Sequence, residues 1–154
     1  MIWKTLLASR TVQPHKTSKK EIESLRQLVA RDLTDAAIEG LSADRCFATA
    51  YNAVLQLSKM AIACAGYRVT LGAGHHQKSF DVVKVAMGKP IEPLADYFET
   101  CRRKRNHIDY DASEVVTETE AKELLKKAEE FQQMIEECVA HAKVSVLMPK
   151  RKCQ

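Results

Sequence analysis

Glycine and proline are scarce in this chain, five and four of 154 residues. So few backbone breakers, beside abundant Ala, Leu, Glu, Lys and Gln, argue for helix and against a loop-rich or strand-rich fold. Long apolar runs are missing as well. No stretch approaches the roughly 20 residues that a membrane-spanning helix needs, and Met1–Ala8 is too short an apolar opening for a secretory signal. A cytoplasmic protein with no membrane contact is the expectation. Paired cysteines are absent too. Cys46, Cys64, Cys101, Cys138 and Cys153 stand singly, and no two have metal-ligand spacing. They are expected to be small buried hydrophobes in a reducing compartment, with no metal and no cofactor. Nor is there strong charge of one sign: 24 Lys and Arg against 20 Asp and Glu give +4, which leaves partner choice to local clustering.

What remains is an ordinary globular composition, 45% hydrophobic and 29% charged, in a chain long enough for one domain with its own core. Residues 1–17 read as an N-terminal extension, in which Trp3, Leu6 and Leu7 need cover from this domain or from a second copy. Ser18 and Glu21 have the spacing of a capping box, and Ile22, Leu25, Val29 and Leu33 follow at helical intervals up to Gly40. A second helix is predicted from Ser42 to Gly66. Its apolar residues lie on two faces, which marks the central, doubly covered element. A glycine-bearing loop, Gly66–Gly74, leads to a short helix from about His76 to Met87. Pro93 suits the first turn of the next helix, whose Leu94, Phe98, Cys101, Arg105 and Ile108 share one side. Thr117 and Glu120 form a second capping box, opening a last helix that runs to about Val144. No strand-like alternation of useful length and no internal repeat appear. The prediction is all-α: an up-and-down bundle of four long helices plus a short helix over residues 18–145, then a basic tail, 146–154.

Three segments carry a family resemblance. Ala50–Met60 is similar to the second helix of HEPN domains (higher eukaryotes and prokaryotes nucleotide-binding). Gly66-Tyr67-Arg68-Val69 with Gly74-His75-His76 resembles that family's connection into its third helix. Arg102–Asp111 falls where the family keeps an arginine–histidine motif. The resemblance covers about residues 18–145. It implies a HEPN-like bundle that pairs as a homodimer and engages RNA or nucleotide phosphate. It further implies a metal-independent ribonuclease toxin, beside a nucleotidyltransferase-like antitoxin, or a non-catalytic relative that has lost the motif.

Two registers of that motif are open. Arg102 and His107 have the family's spacing, with four residues between them. The family's Arg-Asn dipeptide is instead Arg105-Asn106, which puts Tyr110 in the histidine's place. At about 100° per residue, Arg105 points with the apolar seam, while Arg103, Asn106, His107 and Tyr110 gather on the opposite side. Metal-free RNA cleavage needs a base for the 2′-hydroxyl and a cation for the phosphate oxygens. His107 suits the first role, Arg102 the second and Asn106 an orienting one, with Arg103, Arg105 and Tyr110 as RNA or phosphate contacts. The competing reading is structural. Cations at a helix C-terminus are favoured by its dipole, and the segment would then serve a non-catalytic dimerisation or protein-interaction module. A metal-dependent four-helix enzyme is disfavoured, since inward Glu-x-x-His pairs are missing. His75-His76 likewise reads as helix entry rather than as a metal site.

Overall fold

The computed structural model describes residues 2–72, 75–110 and 115–142, with the backbone alone at 75–77, 109 and 110. The expected basic tail and Cys153 lie outside the described residues. In chain order the elements are α1 (Trp3–Ala8), β1 (Val12–Pro14), α2 (Lys19–Ala36), α3 (Ala43–Cys64), β2 (Tyr67–Val69), α4 (His75–Met87), α5 (Glu92–Tyr110) and α6 (Glu118–Ala142). A single 3-10 turn, Lys89–Ile91, precedes α5.

This corrects the expected fold class. Among the described residues there are six helices and a two-stranded antiparallel ribbon, not a simple all-α bundle of four long helices. The ribbon pairs Val12 with Val69, Gln13 with Arg68 and Pro14 with Tyr67. Strands of three residues are too short to display a period of two, and these partners lie far apart in the sequence. Pattern reading had no purchase on either.

Helix α3 is the axis of the molecule. Ala50, Tyr51, Ala53, Val54, Leu57 and Met60–Cys64 are all buried, so both of its faces are covered as the two apolar stripes predicted. Helices α2 and α6 pack along it, and α4 and α5 cover its remaining side. Cys46 near the start of α3 meets the Ala121 carbonyl of α6 at 3.9 Å, and Cys64 near its end lies beside Cys138. The two helices therefore run parallel. Rings join the layers: Tyr51, Phe80, Phe98 and Phe131 follow one another at centroid separations of 6.2, 6.0 and 5.1 Å. Such offset ring pairs add to the apolar burial that holds the core.

The N-terminal residues join this body. Leu6 and Val12 are buried, and the Trp3 ring stacks on Tyr67 at 4.2 Å. Gly66 makes the junction. At φ +96° it turns the chain out of α3 into β2, a conformation that L side chains rarely adopt. Its carbonyl accepts the His15 N–H at 2.8 Å, so the end of β1 is fastened to the end of α3. No helix among the described residues is long and apolar enough to cross a membrane.

Candidate functional site

The basic run of α5 is largely used up inside the fold. Arg102 directs Nε to both carboxylate oxygens of Glu99 at 3.0 Å and Nη2 to one of them at 2.8 Å, one turn back along the helix. The pair is only 20% and 23% exposed. Lys104 forms an ion pair with Glu120, tying α5 to α6. The Arg105 guanidinium lies 5.7 Å from the centre of the buried Tyr51 ring, a cation–π contact within the seam where its helical phase put it. Arg103, Asn106 and His107 are exposed, and Arg103 reaches Glu99 only at 3.9 Å.

The structure thus brings Arg102 to Glu99 and not to His107. Five residues apart, those two side chains leave the helix about 140° from one another. Acidic neighbours complete the surroundings. The Asp81 carboxyl is raised from its ordinary value, first by burial and further by Glu99 and Asp96, with Lys84 opposing. The side chain of Tyr110, like Asp111, lies outside the described residues.

A second constellation lies where β1, β2, α2 and α3 meet, around a cleft of about 430 Å³. Its floor is apolar: Leu25, Ile62, Ala63, Tyr67 and Val69, with the exposed Leu71 at the mouth. Polar groups stand around it. His15 Nε2 contacts both oxygens of Glu21 at 2.8 and 3.0 Å, and the Thr17 hydroxyl donates to Glu21 at 2.7 Å. Burial opposes charge on Glu21, but His15, Thr17 and Arg68 more than offset it and hold the carboxyl below its ordinary value. Arg68 is opposite Gln13 in the ribbon. With the amide turned so that its oxygen faces the guanidinium, Gln13 accepts from Nε and Nη2 at 2.6 and 2.7 Å. That contact positions the cation without neutralising it. Lys59 and Ser79 complete the polar lining.

Sequence reading missed this site. Glu21 carries the signature of a capping residue, and half of that reading holds, since its N–H bonds the Ser18 hydroxyl at 3.1 Å. Its carboxylate, however, serves His15 and Thr17. At the second box both halves form: Thr117 and Glu120 exchange bonds of 3.1 Å each. One signal was available. Lys59 is the only charged residue from Cys46 to Gly66, and a lone charge in such a run marks a place where the helix surfaces.

A larger hollow, about 920 Å³, opens at the other end of α3, between the α2–α3 connection and the start of α6. It is broad, and its polar groups serve the fold. Ser42 caps α3 by accepting from Arg45 N–H, and Asp44 accepts from Val116 N–H at 3.0 Å. Glu39, Asp44 and Glu118 oppose its one lysine, Lys122. In the smaller cleft Lys59 and Arg68 stand with one carboxylate among the described lining residues, Glu21, which His15 and Thr17 already engage. Among the described residues no cluster of three His, Cys, Asp or Glu is placed to hold a metal.

No family model, no curated protein and no solved structure matches this chain. The HEPN resemblance therefore rests on its three sequence segments alone. The homodimer, ribonuclease and toxin–antitoxin expectations that came with it find no relative to stand on and are withdrawn.

Proposed function

We propose that this chain is a small-molecule-binding domain whose site is the cleft between the β1–β2 ribbon, α2 and α3. The carrying observation is the pairing, in one concavity, of an apolar floor with Lys59, Arg68 and His15 around it. Ligand sites have this make-up: mostly apolar walls, a few placed polar groups, and about 300–1,000 Å³ of space. The ligand that fits is amphipathic, a flat apolar body with one anionic end. Strand scission forms no part of the reading, since Arg102 is held by Glu99 and turned away from His107.

The fold supplies its own reporter. Trp3 is the only tryptophan, and it stacks on Tyr67 of the cleft floor. Titration with a panel of small aromatic acids should change its emission saturably and move backbone amide resonances around Lys59, Arg68 and Leu71. Filling the cleft with Ala63→Phe should abolish both responses while the fold is retained by circular dichroism. Shifts confined to the larger hollow or to α5, or no saturable response at all, would overturn the reading.

A second proposal keeps the sequence-based expectation in a reduced form: phosphate contact by RNA or a nucleotide along α5, without cleavage. What favours it is the shared exposure of Arg103, Asn106 and His107. A short RNA should then move those three amides, and an unperturbed α5 in low salt would end it.

A further inference from the structure

Resting on the cleft reading, we infer that the ligand's anionic end is a dianionic phosphate monoester, and that His15 takes up a proton when it binds. The argument begins with charge. Of the described residues lining the cleft, only Lys59, Arg68, Glu21 and His15 carry or can gain charge near neutral pH. With His15 neutral they sum to +1; with His15 protonated, to +2, which matches a phosphate monoester and exceeds a carboxylate or sulfate ester. The nearest further acids on these elements have other partners: Glu23 of α2 pairs with Arg26, and Asp81 of α4 lies among Lys84, Asp96 and Glu99. Lys16 precedes α2, Lys19 and Lys20 begin it, and Lys78 flanks Ser79 on α4.

Geometry fixes which nitrogen does the work. A carboxylate can only accept, so the imidazole nitrogen that meets both Glu21 oxygens, Nε2, carries the proton of the neutral ring. The second proton must go to Nδ1. Glu21 then plays the part of a positioning residue. It fixes the tautomer, holds the ring at the cleft and stabilises the imidazolium, as a carboxylate partner does for histidine generally. Thr17, buried, donates to the same carboxylate and restricts its rotation. Arg68 is set by Gln13 with its charge intact and presents the remaining guanidinium edge, the geometry that suits phosphate oxygens.

Three probes with one body and different charge test this: phenyl phosphate, phenyl sulfate and phenol. Calorimetric titration at pH 7.5, where the phosphate is mostly dianionic, should show phenyl phosphate binding at least tenfold more tightly than phenyl sulfate, with phenol weaker still. Repeating it in two buffers of different ionisation enthalpy should show uptake of up to one proton per phosphate bound. His15→Gln should remove that uptake and weaken phenyl phosphate toward the level of phenyl sulfate. Glu21→Gln should reduce the uptake without abolishing binding. Equal affinity for the two anions overturns the phosphate assignment. Binding at the cleft with no proton uptake, or uptake that persists in His15→Gln, overturns the role of His15. In either case amide shifts at Lys59 and Arg68 would leave the binding reading standing. Shifts absent from the cleft for every probe and for the aromatic acids would remove both together.

Discussion

Whether Arg102 serves chemistry or the fold can be decided by thermodynamics alone. Its two-pronged contact with Glu99, at 2.8–3.0 Å, is about four-fifths covered. Exposed ion pairs contribute about 0.2–1 kcal/mol; a covered, bidentate one belongs above that range, at about 1–1.5 kcal/mol of coupling. Arg102→Ala costs more than the coupling, because Glu99 is left near Asp81 with only the exposed Arg103, 3.9 Å away. A loss of about 2 kcal/mol is expected, of the kind that follows when one partner of a covered pair is removed. Glu99→Gln should cost about 1 kcal/mol, since the amide oxygen still accepts from the guanidinium. The double variant should then lose about 2 kcal/mol rather than the additive 3, the shortfall being the pair itself. Urea melts followed by far-UV circular dichroism, fitted with a common slope, measure all four corners of the cycle. Additivity within about 0.3 kcal/mol would mean the fork contributes nothing, and Arg102 would be free again for a ligand.

Burial pushes the Cys64 thiol up to about 11 and the Cys101 thiol to about 12, so neither forms thiolate near neutrality. Mass spectrometry should find both unmodified by iodoacetamide at pH 8 until denaturant is added, and rapid labelling of either in the folded chain would contradict their placement. The same shifts set a pH dependence. These thiols contribute stability that is complete below their unfolded value of 9.0 and is lost as pH rises through about 11 and 12. Urea midpoints should therefore fall between pH 8.5 and pH 10.5 (about two units across the unfolded thiol range), and a flat profile in that window refutes the assignment. Phe98→Ala removes a buried ring that contacts Phe80 and Phe131, and should cost about 3–5 kcal/mol. A loss under about 1.5 kcal/mol would mean the α4–α5–α6 junction is not packed as described.

The long elements were legible because their signals are local and repeated. Ser18, Ser42 and Thr117 each accept from the N–H three residues on, at the helix starts their spacing named. The two-faced pattern of α3 identified the central helix, and the helical phase of Arg105 put it against the seam, where it meets Tyr51. The ribbon was illegible for the opposite reason. Val12–Pro14 and Tyr67–Val69 are each too short to show a period, and what makes them strands is each other. The cleft shares that cause, since its polar groups come from residues 13–21, 59, 68 and 79 and meet only in the folded chain. Glu21 adds a subtler difficulty. A capping glutamate and a histidine-orienting glutamate look alike in sequence, and only the six-residue return to His15 distinguishes them.

Charge density and charge availability have come apart in this molecule. The densest basic run, Arg102–Arg105, is answered by Glu99 within α5 and by Glu120 and the face of Tyr51 outside it, so Lys104 and Arg105 hold α5 to its neighbours. The sparse cations of the cleft face a different balance: Lys59 and Arg68 share one acid, Glu21, which is already engaged by His15 and Thr17. An incoming anion at α5 must displace a carboxylate before it gains a partner, and that exchange returns little. On the proposed reading, a modest patch whose one acid is already engaged should bind an anion better than a rich one that is satisfied, and the positive φ of Gly66 turns the chain from α3 into β2, which carries Arg68 to that patch.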